Sequence, residues 1–395
     1  MVMDEAYFVD ILREKKQQGL YRSRVIHDSP QSPLLTINNK QYLSFCSNDY
    51  LGLANNAEIK QSLIDAVNVY GVGSGASHLI SGHHVVHEQL EQQLAVMTKR
   101  SKALVFANGY MANIAIVNTL LQPKDAVFID RLNHASIYDA CMLTKAKIYR
   151  YQHKCMASLE KKLQNSTEKR KLIITDSVFS MDGDIAPILS LVKLAKQYGA
   201  LLAVDDAHGF GVLGNTGAGI AELYNCSQQD IPILMGTFGK ALGTYGAFIA
   251  GSSSLIDVFI QQARPYIYTT ALPPAIAKAT LTSLRLVTTK YKRRQKLQEL
   301  ISEFKQGCKK FNIKTLESST AIQPIIMKDS KKAVFFSEKL KEMGIIVKAI
   351  RPPTVPVGTS RLRITLSYLH TKPQIHRLLV ALNEINVKFQ LIGDT

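Results

Sequence analysis

Between Asp125 and about Ala250 the chain repeats one pattern: an apolar run of strand length, then a segment with helical periodicity. The runs are AVFID (126–130), IYRY (148–151), KLIITD (171–176), LLAVDD (201–206) and ILMGTF (233–238). None alternates cleanly between apolar and polar residues. Strands of that kind are buried on both faces, which predicts a mostly parallel sheet covered by helices on either side. An earlier run, Ala103–Phe106, turns through Asn108-Gly109-Tyr110 into another helix. The polar residues gather where the runs end: His134 after FIDRLN, Asp176 and Ser180 after LIIT, Asp205 and His208 after LLAV, Thr237 and Lys240 after ILM. Open α/β sheets bind ligands at that carboxyl edge, so the shared placement says more than any single residue.

The chemistry centres on Lys240, which stands in GTFGKALGTYG with Gly239, Gly243 and Gly246 around it and Thr237 three positions before it. A lysine amine becomes a nucleophile once burial or a neighbouring cation lowers its pKa. The preceding strand delivers Asp205, Asp206 and His208 into a glycine-rich loop. An anion for a pyridinium nitrogen and an amine for an aldehyde are what pyridoxal phosphate requires. Gly109 opens a helix whose backbone N–H groups and dipole suit a phosphate, and Tyr110 beside it could stack on a ring.

The flanking segments predict smaller units. Residues 4–18 have the period of an amphipathic helix ended by Gly19, and Leu34–Phe45 reads as a strand pair turning at Asn38-Asn39-Lys40. His84–Met97 reads as a helix after the Gly/Ser-rich run Tyr70–Gly82. Beyond Leu272 come long helices to Phe311 and then an α+β pattern, in which the prolines of RPPTVP predict an extended path. Arg351, Arg361 and Arg363 there are either rim charges or a carboxylate clamp. The expected division is an N-terminal arm (1–55), a large α/β domain (56–285) and a C-terminal α+β domain (286–395).

Composition narrows the partners. No apolar run reaches the roughly 18 residues of a membrane span, and the charged N-terminus lacks the core of a signal peptide, so a cytoplasmic protein is expected. The 5 cysteines have no metal-like spacing, and neither disulfides nor a metal site is expected. A net charge of +17 raises the question of nucleic acid. The basic residues lie along helices without interleaved aromatics, which argues against it and for steering of an acidic partner such as a nucleotide-bearing thioester.

The motif series SNDYLGL, GSGASHLISG, DSVFSMDGD, VDDAHGFGVLG, GTFGKALGTYGAF and RPPTVPVGTSRLRITLS closely resembles that of the α-oxoamine synthases, in the same order and over nearly the whole chain. These are fold-type I pyridoxal-phosphate enzymes that join an amino acid to an acyl-CoA with loss of carbon dioxide. The resemblance implies an aminotransferase-like homodimer with its active site at the subunit interface. It makes Lys240 the cofactor lysine and base, and Asp205 the partner of the pyridine nitrogen. His208 would bond the phenolic oxygen with Ser180 nearby, and His134 would stack on the ring. Gly109, Tyr110 and Thr237 would line the phosphate, with Thr269 and Thr270 supplied by the other subunit. Arg22, Asn48, Arg351 and Thr354 would bind substrate. The RPPTVP stretch and the length look most like the biotin-pathway member, which uses L-alanine and a pimeloyl thioester on CoA or a carrier protein. Glycine C-acetyltransferase, 5-aminolevulinate synthase and serine palmitoyltransferase are the alternatives. One departure is visible: where many members have GSGGSR, this chain has Gly73-Ser74-Gly75-Ala76-Ser77-His78.

Overall fold

The computed structural model describes residues 3–18 and 20–389, so the expected stop at Gly19 lies outside the described residues. Contacts divide the chain into two units. One comprises the described residues within Met1–Ser47, Met181–Gly183 and Lys296–Thr395; the other is Asn48–Ser180 with Asp184–Gln295.

The first unit opens with a helix, Glu5–Gln17, capped by Asp4, whose carboxylate accepts the Tyr7 N–H. None of its residues is buried, and Phe8, Val9 and Leu12 face solvent. Strands β1 (Leu34–Ile37) and β2 (Lys40–Ser44) pair antiparallel. Asn38 and Asn39 between them both take positive φ, 48° and 59°, the conformation a two-residue hairpin turn demands and asparagine tolerates.

In the second unit a seven-stranded sheet carries the strands β3 (Lys102–Phe106), β4 (Ala126–Asp130), β5 (Lys147–Tyr151), β6 (Lys171–Asp176), β7 (Leu201–Asp205), β8 (Ile233–Thr237) and β9 (Ala247–Gly251). Their spatial order is β3-β9-β8-β7-β6-β4-β5. The neighbours from β8 through β5 are parallel, while β9 runs antiparallel to both β3 and β8. The sheet is therefore mostly parallel, as the unalternated runs predict, with one reversed strand. The short 238–246 connection has no room for a crossover helix, so β9 returns beside β8 in the opposite sense. Leu104, Val127, Ile129, Leu172, Ile174 and Ile249 from the strands pack against Ile116, Ile137 and Phe259 from the helices. Burying each such side chain stabilises the fold by about 1.5–3 kcal/mol.

The first unit continues with β10 (Ile322–Lys328), β11 (Ile345–Ile346), β12 (Lys348–Ile350) and β13 (Ser360–Thr365). β10 and β12 flank β13 antiparallel, and β11 adds to β2 in parallel. The helices Ser330–Glu342 and Lys372–Phe389 accompany these strands, an α+β arrangement.

Candidate active site

The carboxyl ends of β6, β7 and β8 and the starts of two helices enclose a cavity of about 180 Å³. Lys240, Asp205, Asp176, His134, Thr237, Gly109 and Tyr110 all line it, so seven of the sequence-predicted residues meet there. Asp205 is the last residue of β7 and is buried. One carboxylate oxygen accepts the Ala207 N–H (3.0 Å) and the other accepts Asn113 Nδ2 (2.8 Å). Asn113 also donates to Ser136 Oγ (2.9 Å), and Ser136 Oγ bonds His134 Nδ1 (2.8 Å). His134 caps the Ala135–Leu143 helix, accepting the Ser136 N–H on its ring while its own N–H donates to Asp176 (2.8 Å). Withdrawal of water by the surrounding protein lowers the His134 pKa; Asp205 opposes that shift and Lys240 adds to it.

Lys240 lies in the loop between β8 and β9, partly buried. Its carbonyl accepts the Gly243 N–H (3.0 Å), and Phe238 and Gly246 close the loop (2.9 Å). Two further buried carboxylates lie near, Asp176 in the cavity lining and Asp206 next to Asp205 in sequence. Burial pushes Asp176 well above the usual carboxylate range, and the nearby Asp205 pushes the same way. Burial also raises Asp206 to about 7, against the bonds it accepts from Ser177 Oγ (2.5 Å) and Ile220 N–H (2.8 Å).

The other end of the cavity is built for an anion. Asn108 caps the Gly109–Leu120 helix, taking the Met111 N–H and leaving other first-turn N–H groups toward the cavity end. A Cβ on Gly109 would stand 2.7 Å from Thr237 Cγ2 and 3.2 Å from Met235 Cε, so only glycine allows this approach. Thr237 Oγ1 is buried without a hydrogen-bond partner, as is Asn113 Oδ1. A buried hydroxyl left unpaired costs stability unless a ligand completes it. A phosphate at the helix end and a nitrogen ring beside Asp205 and His134 would fit these groups.

Other predicted residues lie elsewhere. His208 is buried and bonds the Tyr50 hydroxyl (2.6 Å), which donates in turn to Asn48 Oδ1 (3.3 Å). Ser180 lies beyond β6, past the Val178–Ile185 bridge, and is not among the residues lining the cavity. Thr270 pairs with Ser77, and neither it nor Thr269 lines the cavity. In the first unit, Arg22, Arg351 and Thr354 line a separate pocket of about 310 Å³ together with Lys348, with Arg22 Nη2 donating to Thr354 Oγ1 (3.3 Å).

Two expectations need correction. The RPPTVP stretch turns where an extended path was predicted: the Thr354 N–H donates to the Arg351 carbonyl (3.0 Å) across a cis Pro352–Pro353 bond. Arg361 is neither rim charge nor free clamp. It is 3% exposed and donates to Asp182 (2.7 Å) and to the Met181 and Thr359 carbonyls, because its place in β13 points it inward. Asn113 and Ser136 escape a reading of sequence for roles. Asn113 sits inside an apolar helix, and only its placement against β7 makes it a partner of Asp205.

The aminotransferase class I and II family model matches residues 40–382. The 8-amino-7-oxononanoate synthase of Cellvibrio japonicus (strain Ueda107) is 49% identical over 374 residues, 95% of this chain and 94% of that protein. Its counterpart from Marinobacter nauticus is 50% identical over 375 residues, 95% of each. Among solved structures, a serine palmitoyltransferase from S. paucimobilis with a bound PLP–myriocin aldimine superposes with a TM-score of 0.92 over 98% of both chains at 29% identity. The chain thus belongs to the aminotransferase class I and II family and, within it, to the α-oxoamine synthases.

Proposed function

We propose that this chain condenses L-alanine with a pimeloyl thioester, with loss of carbon dioxide, using pyridoxal phosphate. The observation that carries the choice is the contrast between 49–50% identity to 8-amino-7-oxononanoate synthases over nearly the full length and 29% to a serine palmitoyltransferase of the same fold.

When bound, the cofactor supplies a protonated ring that accepts the electrons released at the α-carbon. Asp205, held by Asn113 and the Ala207 N–H, would partner that ring nitrogen and keep its proton in place. Lys240 Nζ would be the amine that holds the cofactor's aldehyde and the base that takes the substrate α-proton and returns it. His134 would cover one face of the ring, and His208, steadied by Tyr50, would bond the phenolic oxygen together with Ser180. Thr237, Gly109 and Tyr110 would take the phosphate. Arg351, Arg22, Thr354 and Asn48 bind substrate, with the arginines gripping carboxylates. A homodimer in which Thr269 and Thr270 complete the neighbouring subunit's phosphate site belongs to the same proposal. So does a cytoplasmic location, where free amino acid and acyl thioester are both available.

The test is an incubation of purified protein with pimeloyl-CoA and alanine, glycine or serine in turn, followed by product mass. Product from alanine, lighter by carbon dioxide than the simple condensate, is the expected result; product only from glycine or serine would overturn the assignment.

A further inference from the structure

Three histidines outside the cavity converge where the Gly/Ser-rich run meets the Val85–Thr98 helix. One ring nitrogen from each of His78, His83 and His87 lies within 4.8 Å of the others. A tight π-turn, His78–Gly82, brings the first two together. The Gly82 N–H donates to the Ser77 carbonyl (3.0 Å), and a Cβ on Gly82 would stand 2.1 Å from the Ala76 oxygen, so the turn closes only around glycine. His83 and His87 are one helical turn apart in spacing.

The hydrogen bonds determine which nitrogens face inward. His87 Nε2 lies 2.6 Å from the Leu272 carbonyl, which can only accept, so Nε2 carries the proton and Nδ1 keeps its lone pair. That lone pair takes the His84 N–H (2.9 Å), a first-turn group that a helix can leave to water. His83 Nε2 lies 3.6 Å from the Glu88 carboxylate, which orients its proton outward and turns Nδ1 toward His78. The His78 and His83 Nδ1 atoms are 2.9 Å apart. That is hydrogen-bond distance, and an ion bound tetrahedrally at about 2.0–2.1 Å from each nitrogen would hold them about 3.3 Å apart, so the two rings need part by only a few tenths of an ångström. A carbonyl and a carboxylate behind two of the imidazoles form the outer shell that fixes ligand histidines.

We infer that His78, His83 and His87 form a binding site for a single divalent transition-metal ion of the zinc class, with a fourth position open to water. Imidazole nitrogens select zinc, copper, nickel and cobalt over magnesium and calcium. The bound ion ties the Ser77–His83 loop to the Val85–Thr98 helix. That loop also pairs with Thr270 through Ser77. The cysteine spacing, from which no metal site is expected, carries no information about histidines that only the turn brings together.

The experiment titrates untagged holoenzyme, stripped with a chelator, with Zn²⁺ against a chromophoric chelator, and repeats the titration with Co²⁺ to read ligand-field bands. Expected is one ion per chain. His83→Ala, at a partly exposed position, should weaken binding by roughly 10 to 100-fold or more, while His84→Ala leaves it nearly unchanged. Absence of stoichiometric binding overturns the site. So does binding that survives His83→Ala, which would place the ion on cysteines or cofactor, or equal losses in both variants.

Discussion

Thr237 presents a hydroxyl that the folded chain buries and does not satisfy. Replacing it with valine removes that orphan together with the hydroxyl proposed to donate to the cofactor's phosphate. Thr237→Val should leave the melting temperature of the apoprotein unchanged or raised, and weaken pyridoxal phosphate binding by roughly 10 to 100-fold, the equivalent of the ~1.5–3 kcal/mol of a charge-assisted bond. Cofactor titration by fluorescence checks both; unaltered affinity would remove Thr237 from the phosphate site. Lys240→Ala should abolish turnover and the borohydride-reducible pyridoxal adduct found by peptide mass, and an adduct at wild-type yield would assign the cofactor to another lysine. At this scale the sequence is informative where chemistry sits at strand ends: Lys240, Asp205, His134 and Thr237 all meet in one cavity. It is silent where a role depends on what folds alongside. Asn113 looks like a polar interruption of an apolar helix, and Arg361 looks like a candidate clamp until β13 turns it toward Asp182.

Among the elements, the β8–β9 connection carries the lysine, and its glycines are not equivalent. Gly243 has φ +66°, and a Cβ there would stand 2.3 Å from the Ala54 backbone nitrogen; Gly239 would meet nothing closer than 3.6 Å. Gly243→Ala therefore combines about 1–2 kcal/mol of left-handed strain with a collision against main chain that cannot rotate aside. It should lower the melting temperature and loosen the cofactor, whereas Gly239→Ala should do neither. Equal effects in the two variants would contradict this geometry. The parallel strands are legible because burial on both faces removes alternation. The reversal of β9 is not, because an apolar run carries no direction; direction follows from the length of the connection before it. The Asn38-Asn39 turn was readable for the opposite reason, since its residues tolerate the backbone the hairpin needs.

For the molecule as a whole, two sets of charges act at different ranges. His153 is clasped by Asp130 and Asp184, 3.0 Å from each ring nitrogen. Burial alone would lower its pKa, but the carboxylates outweigh that and raise it from 6.5 to about 9. A raised folded pKa means the contribution is complete below about 6.5 and lost as pH climbs through about 9. Urea unfolding should show His153→Gln well below wild type at pH 6, with the gap closing above pH ~9; a gap independent of pH would refute the ion pair. At longer range, the +17 net charge should speed encounter with an anionic thioester. Then kcat/KM for pimeloyl-CoA falls severalfold between about 20 and 200 mM salt while kcat holds. A flat response would leave the charge to solubility alone. Finally, the inner carboxylate of Asp206 sits where a Cβ on Gly209 would be 2.1 Å from one oxygen and a Cβ on Gly219 1.9 Å from the other. The three positions are thus a single heritable unit: a side chain at either glycine can be admitted only after the acid has been given up. A lineage that keeps this aspartate has closed both of those mutational routes, whatever selection asks of the reaction nearby.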